Sequence, residues 1–477
     1  MAEAREQFLY DQVYDLVVEQ IRAGTLRPGD RLPSLRRMSR QLKMSIATVM
    51  QGYTNLEREG FISARPQSGF FVNADPARSA ALPSASSPRP VVRDIRLSGM
   101  VLDFLRMSRR PGTAPLGPAN PATELLPTRT LARLMHRVVM RDPGAAVDYM
   151  DPAGQVELRR QIAYRAGTMG MVIDPEQVIV TNGATEAMAV AMRTVARPGD
   201  TIAVESPTYF LLLQLIEDLG LKAVEVPSDP VNGLNIDAFE DIVSRIPVAA
   251  LLCVVNFNNP YGSLMPDDAR QRLVDLANRT GIRLIEDDIY GDLHFGPYRP
   301  RPLKSFDREG NVVLCSSFSK TLAPGLRVGW IAAESGREEM LSRKHNSSIA
   351  NASLTQMAVA EFLASGGYDR HLRQLRRALK QQVERMRHEL TRVLPEGTRI
   401  SQPRGGFVLW VELPRGIDAT ELFRRCLEQG VNILPGALFS PTRKFRNCIR
   451  ISCGHPWNDV IADGVERLGR LAAEMVG

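Results

Sequence analysis

Five short apolar runs do most to limit what this 477-residue chain can fold into: residues 178–180, 201–204, 249–256, 283–285 and 311–315. Stretches with apolar residues at helical spacing separate them. Strands that are apolar throughout are buried on both faces, and in a chain alternating strand with helix they form a mainly parallel sheet covered by helices. The spacing therefore predicts an α/β body. Ligands of such sheets bind beyond the carboxyl ends of the strands, so the residues that follow each run are the ones to examine.

Those residues carry chemistry. The first run is followed by Thr181-Asn182-Gly183-Ala184-Thr185-Glu186, where a helix start exposes amides to an anion, although a plain strand-to-helix turn looks the same. The second leads to Tyr209 and the third to Asn258-Asn259-Pro260-Tyr261-Gly262. The fourth runs into Glu286-Asp287-Asp288-Ile289-Tyr290. Three acids there either cap a following helix or face a cationic partner. The fifth leads to Ser317-Phe318-Ser319-Lys320, with Arg327 seven residues on. A lysine held among small hydroxyl residues suits an amine kept from water to attack a carbonyl, and a fixed arginine suits a phosphate.

The N-terminal part has a different pattern. Through Gly112 there are 17 lysines and arginines against 11 acids, while the remainder is nearly balanced at 43 against 42. A basic excess at one end points to a polyanion partner there. Leu9, Val13, Leu16, Val17 and Ile21 predict a first helix. A second is predicted after Ser34 with Leu35, Met38 and Leu42 inward, and a third after Ser45 with Ile46, Val49, Tyr53 and Leu56 inward. That leaves Ala47, Thr48, Gln51 and Asn55 outward, and the repeats at 61–65 and 68–72 read as a hairpin. This is helix-turn-helix spacing with a wing, and its third helix suits a major groove. Residues 74–113 are rich in Ala, Pro, Ser and Arg and are expected to be a flexible linker. No apolar run is long enough to span a membrane, the N-terminus lacks a secretory pattern, and five scattered cysteines without metal-ligand spacing predict free thiols, no metal and a cytoplasmic location.

Residues 9–73, with GDRLPSLRRMSRQLKMSIATVMQGYTNLEREGFI and the wing QSGFFV, resemble the winged helix-turn-helix of GntR regulators. The resemblance implies duplex DNA as partner and Ser34, Arg36, Ser45, Thr48, Gln51, Gln67 and Gly69 at the DNA. Where that family usually has an arginine early in the recognition helix, this chain has Ile46. Residues 115–475, with SFSK, GLRVG and the NNPxG turn, resemble fold-type I pyridoxal-phosphate (PLP) aminotransferases with a smaller C-terminal α+β part. That implies PLP bound as a Schiff base to Lys320, with Asp287 at the ring nitrogen, Asn259 and Tyr290 on the phenolic oxygen and Tyr209 stacked on the ring. Ala184, Thr185, Ser317 and Arg327 would hold the phosphate, Tyr149 would reach it from the partner subunit of a homodimer, and Arg450 would clamp a substrate carboxylate. The whole layout, 1–73 head, 74–113 linker and 114–477 body, resembles the MocR-type regulators. The expectation is a regulator sensing an amine or amino acid by transaldimination at Lys320, with an active aminotransferase carrying an accessory DNA-binding domain as the alternative.

Overall fold

The computed structural model describes residues 9–23, 25–27, 29–58, 61–65, 69–72, 80–97, 101 and 112–476. Contacts divide the chain into two units, a head of Met1–Ala81 that also takes in Arg387–Arg392, and a body of Leu82–Met386 and Val393–Gly477.

The head has three helices, α1 (Leu9–Arg22), α2 (Leu35–Leu42) and α3 (Ile46–Arg58), and an antiparallel wing of β1 (Ile62–Arg65) and β2 (Gly69–Val72). Ser34 caps α2 by accepting from the Arg37 amide, and Ser45 caps α3 by accepting from Thr48 N at 3.0 Å. Val13, Val17, Met38, Val49, Tyr53, Leu56, Ile62 and Val72 form one core. The helices α1 and α3 cross so closely at Gly52 that a Cβ there would lie 2.8 Å from the Val13 side chain.

Two side chains differ from expectation. Ile46, expected in this core, is 48% exposed, because α3 begins one turn before Val49 and projects past the packed layer. Asn55, expected outward, is buried, and its carbonyl accepts from Gln51 Nε2 one turn back at 3.2 Å.

In the body, β3 (Arg93–Asp94), β4 (Val178–Thr181), β5 (Thr201–Ser206), β6 (Lys222–Asp229), β7 (Ala250–Cys253), β8 (Arg283–Asp287), β9 (Val312–Ser317) and β10 (Gly329–Ala332) form the main sheet in the order β3-β6-β5-β7-β8-β9-β10-β4, with Gly233–Leu234 added beside β6. The five central strands are parallel, while β10 and β3 run antiparallel to their neighbours. All five predicted runs lie in it. Its flanks are apolar: Val180, Leu314 and Trp330 pack with Leu158, Ile162 and Phe362, and Val224, Leu251 and Leu284 pack with Phe239, Leu273 and Leu276. A 27-residue helix, Gly367–Val393, precedes the smaller C-terminal part, in which Val408–Glu412 and Cys448–Ser452 are central to a four-stranded antiparallel sheet. All five cysteines are buried and unpaired, and no described helix is long and apolar enough to cross a membrane.

Composition reads the stretch before the body as free tether, yet its described part is strapped down. Ser84 N and Oγ donate to the Glu412 carboxylate, and Tyr261 Oη donates to Ser84 O at 3.1 Å. Ser86 Oγ donates to Ser206 O and accepts from Ser228 N, and Arg93–Asp94 adds a short strand to the sheet edge. Backbone hydrogen bonds, to which side-chain composition is blind, hold a sequence that has little to bury.

Candidate cofactor site and nucleic-acid face

At the carboxyl ends of the parallel strands a cleft brings Lys320, Asp287, Asn259, Tyr290 and Tyr209 together with Arg450 and Arg327. Lys320 follows β9 and is half-buried, with Nζ donating to Ala119 O at 2.7 Å and to Asn120 Oδ1 at 2.8 Å. Burial and the positive charges of Arg450 and Arg327, partly opposed by Asp287, lower its pKa to about 8. Charge is expensive there, which is how a lysine becomes a nucleophile near neutrality.

The three acids at the end of β8 part ways. Glu286 accepts the Leu303 and Lys304 amides, and Asp288 pairs with Arg299 and accepts from Asn256 Nδ2 at 2.8 Å. Asp287 keeps only the Ile289 amide, at 3.1 Å, among the described residues. Burial raises its pKa to about 7, partly opposed by Lys320. The following 3₁₀ turn, Gly291–Leu293, has no side-chain cap, so capping does not account for these acids.

Tyr290 is buried, and its hydroxyl lies 3.4 Å from Asn259 Nδ2. Burial raises its pKa, as it does that of Tyr209, whose ring meets Phe210 edge-on and which interacts electrostatically with Arg450 and Asp287. Arg450, 2% exposed, donates Nη2 to Gly117 O, while its Nε and Nη1 have no partner among the described residues.

On the other wall the helix Ala184–Val195 starts at Gly183, φ +85°, with no side-chain cap. A Cβ on Gly183 would enter the space of the Arg327 guanidinium, which is exposed and donates to Asn182 O at 2.7 Å. Ser317 ends β9 and accepts from Ser319 N, and Thr185 is exposed at the helix start. Tyr149 is 78% exposed on its own chain.

Sequence reasoning missed Gly117, Ala119 and Asn120, which meet Arg450 and Lys320 largely through backbone carbonyls that no residue type advertises. It also missed Glu205 as a participant. Glu205 is buried with Oε1 unpartnered among the described residues, Oε2 accepts from Val254 N and Asn258 Nδ2, both at 2.9 Å, and burial raises its pKa to about 7.

On the head, Arg36 and Gln51 are exposed and Thr48 is half-buried, while the Ser34 and Ser45 hydroxyls are engaged as caps. Gly69 opens β2 at φ +101°, beside the Arg31 guanidinium. Gln67 lies outside the described residues.

Residues 9–72 match the gntR family of bacterial regulatory proteins, and residues 120–468 match aminotransferase class I and II. The HTH-type transcriptional regulator YjiR of Escherichia coli, itself uncharacterised, is 36% identical over 96% of this chain and 98% of its own length. The chain belongs to the MocR-type regulators of the GntR family. Among solved structures, the α-aminoadipate aminotransferase LysN of Thermus thermophilus, complexed with N-(5'-phosphopyridoxyl)-L-leucine, matches with TM-score 0.73 and 30% identity, covering 80% of this chain and 99% of that one. The kynurenine aminotransferase of Pyrococcus horikoshii, solved with PMP, matches at 0.74 and 26%, covering 79% and 95%. Pyridoxal 5'-phosphate is therefore the cofactor of this MocR-type body, which is expected to dimerise and take a small-molecule ligand, while the head is a DNA-binding fold. The residues fit that group: a lysine of lowered pKa, a buried carboxylate with spare acceptor capacity, a helix start without a side-chain cap beside Arg327, and orphaned polar atoms on Asn259 and Arg450.

Proposed function

We propose that this MocR-type chain is a transcriptional regulator whose head binds duplex DNA and whose body senses an amine or amino acid that exchanges with Lys320. The observation that carries the reading is Arg450. A guanidinium 2% exposed with two unpartnered nitrogens is costly to bury, and it sits in the cleft that holds Lys320. A carboxylate accepting from Nη1 would remove much of that cost, which selects an amino acid over a simple amine.

Bound there, PLP would supply an aldehyde for the amine and a ring that withdraws electrons from the amine's α carbon. Asp287 is the group for the ring nitrogen, with Asn259 and Tyr290 for the phenolic oxygen and Tyr209 for the ring face. Ser317, Arg327 and the Ala184 and Thr185 amides would receive the phosphate, and the exposed Tyr149 would serve the partner subunit's site. Lys320 can accept or release a proton near neutrality, with the Ala119 carbonyl and Asn120 as its resting acceptors.

An active aminotransferase is the second reading, favoured because Lys320, Asp287, Tyr290, Asn259 and Arg450 are all present in one cleft. A spectral titration of PLP-loaded protein against a panel of amines and amino acids, with keto acid assayed in the same tubes, separates the two. A lasting shift of the visible band without keto acid is the expected result. Catalytic release of keto acid would establish the enzyme. A protein with no visible band, unchanged by Lys320→Ala, would sink both.

A further inference from the structure

A second cleft, of about 300 Å³, opens on the body between the strap and the C-terminal part. Ser87, Arg89, Arg93, Glu225, Thr442 and Lys444 line it. None of these residues belongs to the site around Lys320.

The charge in this cleft is unbalanced. Glu225, its one acid, is buried and saturated: Oε1 accepts from Ser206 Oγ at 2.8 Å and Ser440 Oγ at 2.9 Å, and Oε2 from Thr442 Oγ1 at 3.3 Å and Lys444 Nζ at 3.2 Å. Lys444 thereby neutralises Glu225. Arg89 and Arg93 remain, and among the described residues their guanidinium groups form no hydrogen bond or ion pair. Two uncompensated cations therefore share one concave space.

Their mounting is fixed. The strap is pinned before Arg89 by the Ser84 and Ser86 hydrogen bonds and after it where Arg93 pairs with Ala223. Arg89 lies between Pro88 and Pro90, whose locked φ angles restrict the span between the two anchors. A pair of arginines on a free tether would lose much entropy on closing around a ligand. Here that ordering is already done.

We infer that this cleft is a second ligand site, for a small molecule bearing a doubly charged oxyanion, a phosphomonoester or a dicarboxylate. Two guanidinium groups, each offering a planar pair of N–H donors, match oxygens of such a group bidentately, and the Ser87 hydroxyl adds a neutral donor. The volume suits one small molecule and is at the lower end of ligand cavities. Occupancy would clamp the segment that leads from the head, so this ligand would act directly on the tether.

The test is calorimetric titration of full-length, PLP-loaded protein at low salt with inorganic phosphate and, separately, with succinate. Loading fills the other phosphate subsite, and retention of the visible band shows that a variant is folded. One probe should bind the wild type, and Arg89→Gln with Arg93→Gln should weaken it at least ten-fold. The probe that binds names the source of the oxyanion. Equal binding to wild type and double variant would overturn the inference, as would binding of neither probe. A double variant that loses affinity only for duplex DNA would overturn it in favour of a DNA-backbone contact.

Discussion

Asn258 donates its side-chain amide to Glu205 Oε2 at 2.9 Å, and so ties the end of one strand to the turn from which Asn259 reaches Tyr290. Both partners are buried, and the same carboxylate oxygen accepts the Val254 amide. A buried acid with one oxygen satisfied and the other orphaned is retained for what it positions, since by itself it costs stability.

Stability of the apo protein should therefore depend on pH through Glu205. Its folded pKa of about 7 stands above the 4.5 of the free group, so the folded state holds a proton that the unfolded state releases between those values. The stabilising contribution is complete below 4.5 and lost as pH rises through 7, on the order of 3 kcal/mol across that window. Asp287, raised from 3.8 to about 7, slopes the same way. Glu205→Gln should flatten the slope in urea melts taken between pH 5 and 8. An unaltered slope would remove Glu205 from the account.

Loading with the cofactor should become faster as pH rises toward 8 and level off beyond it. The Lys320 amine is lowered from 10.5 to about 8, so the nucleophilic free base is present at lower pH than in an ordinary lysine. At pH 7 about a tenth of the molecules would carry it, against about one in three thousand for an unperturbed amine. Stopped-flow growth of the visible band on mixing apo protein with PLP reads this directly. A midpoint near 10 would show that the folded site leaves the amine unperturbed.

Much of this was legible in the sequence where burial and chemistry coincide. The runs at 178–180 and 283–285 are apolar enough to read as buried strands of one sheet, and the residues after them had to meet at one end of it. The longest strand, Lys222–Asp229, was not read, because Glu225 and Pro227 interrupt its apolar pattern. Glu225 is tolerated there only through donors from residues 206, 440, 442 and 444, which no local window contains. The contacts of Lys320 with Ala119 O and of Arg450 with Gly117 O were unreadable for a similar reason. Backbone carbonyls carry no sequence signal.

Arg450→Ala should separate amino acids from amines. The substitution removes the two free guanidinium nitrogens, so an amino acid would lose a paired, desolvated carboxylate contact and bind about ten- to a hundred-fold more weakly. An amine of the same side chain without the carboxylate should shift the band at nearly unchanged concentration. Equal weakening of both would mean that Arg450 acts on the fold of the cleft and not on the ligand.

Ile46 should act as an apolar reader of DNA. It is 48% exposed at the first position of α3, and Met50, one turn on, is 45% exposed on that helix. Side chains at the start of a recognition helix meet base edges, and an exposed apolar one suits the thymine methyl group. Ile46→Ala should lower affinity for the preferred operator by about 1 kcal/mol and weaken discrimination between thymine and uracil at one position, with the salt slope unchanged. A changed salt slope with intact discrimination would place Ile46 at the backbone.

The strap offers a route by which the Lys320 cleft acts on the tether. Tyr261, two residues after Asn259, donates to Ser84 O, and Ser86 donates to Ser206 O, three residues before Tyr209. Movement of either turn when a ligand enters must stretch or release a strap hydrogen bond. Tyr261→Phe with Ser86→Ala removes both donors and keeps both shapes, and the visible band and its response to effector should survive. What should fail is communication. Operator affinity measured by fluorescence anisotropy with and without effector should differ about 5- to 150-fold in the wild type, the usual range of coupling between two sites, and the ratio should fall toward one in the double variant. A ratio that stays at the wild-type value would mean that the signal leaves the cleft by another path, since among the described residues the strap is the segment joined both to the turns of Asn259 and Tyr209 and, through the chain, to the head.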